Sequence, residues 1–280
     1  MDLLTILKAI ILGLVEGLTE FAPVSSTGHM IIVDDMWLQS KEFLGQYPAN
    51  TFKVVIQLGS ILAVVVVFWS RFMDLLGLNR LTKSGKEKQS VNQNRLKLTT
   101  VIIGLIPAGV LGVLFEDFID EHLFTTKTGL IGLVLGAIFM IIADKFTKNT
   151  PKIDTVDQIT YKQALTVGLV QCLSLWPGFS RSGATISGGV LVGLSHRAAS
   201  DFTFIMAVPI MAGASGLSLL KNWQYFTLDA LPFFIAGFIS AFVFALISIR
   251  FFLKLIDKIK LTPFAIYRIV LAAVIYFVFF

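Results

Sequence analysis

Glu16 and Glu20 lie four residues apart in an apolar stretch, so on a helix they share one face, about one turn from each other. Two carboxylates on one face repel unless a cation or a proton lies between them, and their oxygens suit a hard divalent ion. The competing role is a pair of solvated glutamates on an amphipathic helix. Pro23, Val24, Ser25, Ser26, Thr27, Gly28 and His29 follow at once: a helix-stopping proline, three hydroxyls, a glycine and an imidazole. Hydroxyls and free backbone N–H groups of such a turn at a helix start can hydrogen-bond phosphate oxygens. His29 can act there as general acid, general base or nucleophile; the competing role is a histidine satisfied by a backbone carbonyl.

A second stretch, Pro177, Gly178, Phe179, Ser180, Arg181, Ser182, Gly183, Ala184 and Thr185, sets one fixed positive charge among three hydroxyls and two glycines inside an apolar segment. The planar fork of Arg181 suits a phosphate or a carboxylate, with Ser180, Ser182 and Thr185 as further donors around the same anion. A structural salt bridge to Glu16 or Glu20 is the alternative. Carboxylates in one half and arginine in the other amount to a metal-plus-arginine clamp, able to neutralise charge on a transferring phosphoryl group from both sides. Ser26 or His29 could attack phosphorus, or His29 or a glutamate could activate water; the residues fit each version, with a lean to His29 assisting a nearby hydroxyl. His122 and His196, beside Glu121 and Arg197, are read as loop residues without a chemical role.

The elements that must position these residues follow from composition. The 280 residues are 55% hydrophobic and 15% charged with a mean hydropathy of +0.81, where a soluble domain is about 25% charged. That excludes an ordinary water-soluble globule. Apolar runs near the ~18–20 residues of a spanning helix, without the alternation of a barrel strand, predict an all-α polytopic membrane protein. Spans are expected at 54–70, 98–115, 129–143, 202–220, 230–250 and 263–280. Residues 1–38 and 160–196 are apolar but interrupted, and read as broken or re-entrant helices, tolerated at membrane depth only inside protein or along a water-filled cavity. The net charge of +5 is spread over loops, not gathered in one aromatic-interleaved stripe, so no nucleic-acid partner is expected. Cys172 is alone, which leaves no disulfide framework within the chain. Asp2 and the lack of a small-residue cleavage site argue against a removed signal peptide.

At an offset of 155, residues 9–28 align without a gap on residues 164–183, matching Gly13 with Gly168, Ser25 with Ser180 and Gly28 with Gly183, and placing Glu16 opposite Gln171. The expectation is a single membrane domain, 1–280, built from two repeats at about 1–143 and 160–280. Basic residues in 71–97 and 250–260 place those loops in the cytoplasm, while 34–42 and 116–127 lean acidic. Each repeat then holds one re-entrant hairpin and three spans, an odd crossing number, so the repeats are inverted and their broken helices meet near the bilayer midplane.

EGLTEFAPVSSTGH (Glu16 to His29) and PGFSRSGAT (Pro177 to Thr185) resemble the paired motifs of the undecaprenyl-diphosphate phosphatase family, the integral-membrane type known for bacitracin resistance. The resemblance runs from the N-terminus to FAIYR, Phe264 to Arg268. It implies removal of the terminal phosphate from the C55 isoprenyl diphosphate carrier, giving the monophosphate reused in cell-wall precursor assembly, with a divalent cation such as Mg2+ or Ca2+. By position, Glu16 and Glu20 would be the metal-linked acids, and Ser26 and His29 would belong to the first catalytic motif. Arg181 would bind the diphosphate, with Ser180, Ser182 and Thr185, and with Ser25, Thr27 and Gly178 of the two turns. It also implies a bacterial plasma membrane location, a pocket open to the outer side, and a lipid substrate as partner, with a homodimer as the protein partner to test. The long tail should lie between spans, and Gly132, Gly136, Gly188, Gly189 and Gly193 are candidates for close helix approach or a lipid-lined crevice. The rival reading is a polyprenyl-phosphate flippase, which would want the anion site but no hydrolytic metal.

Overall fold

The computed structural model describes residues 3–78, 95–123, 125–147, 151–223 and 230–279. Arg80, Lys83, Lys86 and Lys88 of the expected inner loop lie outside the described residues. The architecture is helical, with one isolated bridge between Ile153 and Leu194 among the described residues. The first half runs through α1 (Leu3–Thr19), α2 (Ser26–Met30), a π-helical turn (Ile31–Leu38), α3 (Ser40–Leu44), α4 (Gln46–Val67), α5 (Trp69–Leu75), α6 (Leu98–Leu114), α7 (Glu116–His122) and α8 (Thr126–Phe146). The second half runs through α9 (Tyr161–Gln171), a 3-10 turn (Cys172–Leu175), α10 (Arg181–Leu191), α11 (His196–Asn222), α12 (Leu231–Ile259) and α13 (Thr262–Phe279).

Helices α4, α8, α11 and α12 are long and apolar enough to cross a membrane, and α6 and α13 are shorter apolar helices. Many of their large side chains point outward: Ile106, Val113, Ile131, Ile235, Ile247 and Phe251 are all exposed. In water each would forgo about 1.5–3 kcal/mol of burial, so the outer surface belongs in lipid. The expected spans fall on these helices, but α12 continues to Ile259 where the sequence reading stopped at 250. Its charged residues end the uniformly apolar run without ending the helix, because Phe252, Leu253 and Ile256 remain buried on one face. The acidic segment 34–42 is helical on both sides of Gln39, with the π-helical turn ending at Leu38 and α3 starting at Ser40. Asp34 is buried there, accepts from the Ser40 N–H and hydroxyl at 2.9 Å each, and pairs with Lys53 at 2.8 Å.

Close packing rests on small residues. Gly13 and Gly17 of α1 lie against the Gly237 and Ala241 carbonyls of α12, and Gly168 of α9 lies against the Gly104 carbonyl of α6; a Cβ at any of the three would collide with backbone. His196 is not a loop residue: it opens α11, is buried, and bonds Asp144 at 2.9 Å. The other oxygen of Asp144 accepts the N–H groups of Leu261 and Thr262 and the Thr262 hydroxyl, so one carboxylate caps the start of α13 and ties it to α8 and α11. The expected span started only at 202, so His196 fell outside it; Ser195, whose hydroxyl accepts the Ala198 N–H at 3.1 Å, starts the helix six residues earlier.

Replacing Gly17 by valine should cost about 1–3 kcal/mol through overpacking against α12. Gly213→Val, where nothing lies within 4 Å of the added Cβ, should hold the wild-type thermal midpoint in detergent. Equal midpoints for the two variants would contradict this account of the α1–α12 contact.

Candidate active site

The site forms where α1 and α9 stop and α2 and α10 begin. Pro23 cannot continue the hydrogen-bond ladder of α1, and the 3-10 turn followed by Pro177 and Gly178 does the same after α9. Each chain then re-enters helix through a serine with positive φ: Ser25 at φ 69° and ψ 98°, Ser180 at φ 74° and ψ 117°. Both serine hydroxyls accept an N–H three residues on, from Gly28 at 3.4 Å and from Gly183 at 3.2 Å. Non-glycine residues adopt this backbone only where the surroundings impose it. The two breaks therefore share a local geometry at the positions the 155-residue offset aligns.

Glu20 lies one residue past α1, and its N–H still bonds the Glu16 carbonyl at 3.0 Å. Its carboxylate is gripped from both halves. The Ser26 hydroxyl donates to Oε2 at 2.6 Å, and Arg181 Nη2 reaches Oε1 at 3.2 Å. The Glu20 and Arg181 side chains are 8% and 13% exposed, so this is a nearly dry ion pair. The structural salt bridge weighed against an anion site for Arg181 is thus present. Arg181 also lies over the Phe21 ring at 5.9 Å and reaches the Thr203 carbonyl at 3.5 Å. A second thread joins the turns: Ser182 donates to the Ala22 carbonyl at 3.1 Å and lies 3.2 Å from the Ser180 hydroxyl.

The other sequence-predicted residues surround this pair at different depths. Glu16 is 5% exposed, lies within electrostatic reach of Glu20 and Arg181, and keeps Oε1 buried without a hydrogen-bond partner. His29 Nδ1 lies 2.8 Å from the Ser25 carbonyl, and Nε2 lies 2.7 Å from the Tyr267 hydroxyl, with the two rings stacked. A carbonyl only accepts, so Nδ1 carries the proton, and Nε2 of the neutral ring accepts from Tyr267. Both ring nitrogens are therefore engaged away from Ser26. Thr185 is fully buried, donates to the Arg181 carbonyl at 2.8 Å and accepts from the Thr203 hydroxyl at 2.8 Å, which fixes the first turn of α10 from within. Thr27 is exposed. Gly178, at φ 85°, lies so close to Gly129 that no Cβ fits.

No group of three or more His, Cys, Asp or Glu side chains able to hold a metal occurs among the described residues. The oxygens of Glu16, Glu20 and Ser26 nevertheless fit a hard cation in donor type, and the orphaned Glu16 Oε1 is the atom in want of a ligand.

Sequence reasoning missed Tyr267, Arg268 and Thr203. Arg268 is fully buried, and the rule that singled out Arg181, an ionised side chain inside an apolar segment, applies equally to it within 263–280. Tyr267 and Thr203 carry no such signal.

Fold and site together define a helical, multi-pass membrane protein with a buried carboxylate–arginine centre between two broken helices. Residues 9–274 match the family described as Bacitracin resistance protein BacA, and the chain belongs to that family. It is similar to an undecaprenyl-diphosphatase of Geobacillus sp. (strain WCH70), 79% identical across the full length of both chains. It is also similar to that of Anoxybacillus flavithermus, 72% identical over the full length of both, and to that of Bacillus subtilis (strain 168), 61% identical over 98% of each chain.

Leaving one member of a buried ion pair alone costs about 3–5 kcal/mol. Arg181→Met and Glu20→Gln should each lower the unfolding midpoint, and the double variant should be more stable than their summed losses allow. Strict additivity would mean the pair does not couple the two turns.

Proposed function

We propose that the chain is an undecaprenyl-diphosphatase that cleaves the phosphoanhydride of the C55 polyprenyl diphosphate, releasing inorganic phosphate and the lipid monophosphate. The observation that carries this reading is the Ser26 hydroxyl donating to Glu20 at 2.6 Å while Arg181 holds the other oxygen of the same carboxylate. That is a nucleophile, a base and an anion-binding fork around one point.

In the proposed reaction the terminal phosphate enters beside Arg181, which exchanges Glu20 for phosphate oxygens. Ser26 Oγ attacks the terminal phosphorus, its proton passes to Glu20 Oε2 and on to the bridging oxygen, and the bond to that oxygen breaks to release the lipid monophosphate and leave Glu20 ionised again. Water then attacks the phosphoserine, Glu20 takes up a proton from it, the Oγ–P bond breaks with the proton returning to Ser26, and inorganic phosphate leaves. His29 holds the turn through Ser25. This geometry favours Glu20 over His29 as the group that assists the hydroxyl. Glu16 and Glu20 would hold a Mg2+ or Ca2+ ion, which when bound offsets the charge of the diphosphate.

The finer architecture of the reading is two inverted repeats, about 1–143 and 160–280, with re-entrant hairpins at the breaks. The paired positive-φ serines support it, as do the matched glycine contacts, Gly13 on Gly237 and Gly168 on Gly104. On this reading the protein lies in the bacterial plasma membrane with the pocket opening to the outer side. A flippase would need the anion fork but no hydroxyl paired with a carboxylate, so the hydrolytic reading is preferred.

The test is phosphate release from a polyprenyl diphosphate by the detergent-purified protein, with and without EDTA. Ser26→Ala and Glu20→Gln should each lower kcat by about 10²–10⁴-fold, and phosphate should be trapped on Ser26 in the wild type. Oxygen-18 from solvent entering phosphate in one turnover with no adduct would sink the covalent route. No release from folded wild type supplied with magnesium or calcium would sink the hydrolase.

A further inference from the structure

Arg268 has no exposed surface, and its hydrogen bonds go to carbonyls and a thioether instead of a carboxylate. Nη2 donates to the carbonyls of Gly178 at 2.8 Å and Phe179 at 2.9 Å and reaches that of Gly132 at 3.4 Å, while Nη1 lies 3.3 Å from Met140 Sδ. Nε is buried without a partner. The guanidinium thus spends its best bonds on the two carbonyls that immediately precede Ser180, the residue of positive φ from which Arg181 departs. The shape of the site is built around it. A Cβ at Gly136 would collide with Nη2 and with the Phe179 carbonyl, and one at Gly183 would lie 3.0 Å from Nη1.

The preceding residue, Tyr267, serves the other turn. Its hydroxyl reaches His29 Nε2 at 2.7 Å and its ring stacks on the imidazole at 5.6 Å between centroids. Consecutive residues diverge by about 100° around a helix, so α13 reaches both turns at one level. Its start is fixed by Asp144.

We propose that Tyr267 and Arg268 are positioning residues that hold the two motif turns in one working geometry, Tyr267 through His29 and Arg268 through the Gly178–Ser180 turn that presents Arg181. This rests on the phosphatase reading above. A lysine at 268 supplies one ammonium in place of a fork and cannot hold two carbonyls in fixed directions. The substrate anion binds the turn equally before and during the reaction, so its loosening weakens affinity. Loss of the Tyr267 hydroxyl instead frees His29 and slows turnover.

The experiment measures kcat and KM for polyprenyl diphosphate hydrolysis, together with the affinity for a non-hydrolysable methylene-bridged polyprenyl bisphosphonate. Arg268→Lys should raise KM, and weaken the bisphosphonate, by about tenfold or more, with kcat within about twofold. Tyr267→Phe should lower kcat by about tenfold and leave KM and bisphosphonate affinity near wild type. In an Arg181→Lys background the effect of Arg268→Lys should vanish while that of Tyr267→Phe persists, and a His29→Ala background should reverse this. Where Arg268→Lys does not fold, Gly136→Ala presses on the same fork and should reproduce its loss of affinity. Wild-type kinetics and affinity in variants with lowered thermal midpoints would overturn the proposal, as would effects that multiply in every background. A folded wild type that binds the bisphosphonate without releasing phosphate defeats the hydrolytic reading alone, and the affinity arm still decides the role of Arg268.

Discussion

Opposite charges at Glu20 and Arg181 meet where almost everything else is apolar, and each is bearable there because the other is present. An ionised side chain in that surrounding is costly unless paired and hydrogen-bonded. The pair can form only if two segments far apart in sequence both stop being helical at the same place. Their breaks expose backbone groups that lipid cannot satisfy, so they must be enclosed by protein. The positive-φ serines, the glycines beneath them and the ring of long helices follow from that requirement.

Enclosure is achieved by small residues rather than by large interlocking ones. Gly13, Gly17 and Gly168 let helices approach until backbone meets backbone, and Gly132 and Gly136 on α8 make room for the second turn and for Arg268. Gly132 and Gly136 were expected to serve helix–helix approach or a lipid crevice. They instead receive the non-helical backbone of Pro177 and Phe179, while Gly129 takes the backbone of Gly178. The same economy appears at the start of α13, where Asp144 satisfies the helix start, a hydroxyl and His196 together.

Much of this was legible in the sequence because hydropathy and charge are enforced residue by residue in a membrane. The spans emerged from runs of apolar residues, and the two breaks from proline, glycine and hydroxyl clusters that no lipid-facing helix would carry. Glu20, Ser26 and Arg181 were found for the same reason, and the structure bonds them together. What a linear reading did not reach are contacts chosen by tertiary geometry. Tyr267 looks like any interfacial aromatic until its hydroxyl is found on His29, and Thr203 looks like a span residue until it meets Thr185. Arg268 was within reach of the rule applied to Arg181 but lay in a run read as an unbroken span.

On the two-repeat reading, the halves share a scaffold but not its charges. Opposite Glu16 the second half carries Gln171, also buried and with both side-chain ends unpartnered, and opposite Ser26 it carries Arg181. The two turns share a local geometry, but one is a carboxylate and hydroxyl centre and the other a cationic one. On the proposed reading this asymmetry carries the control of the reaction. With no anion bound, Glu20 shares its charge between the Ser26 hydroxyl and Arg181, and the guanidinium holds the carboxylate through its second oxygen. A phosphate that takes the arginine fork removes that restraint while bringing phosphorus to Ser26. Substrate binding and the release of Glu20 from Arg181 then become one event, because the same guanidinium cannot serve Glu20 and the phosphate equally well. Water entering alone offers Arg181 no comparable partner, so the acid stays restrained until an anion of the right shape arrives.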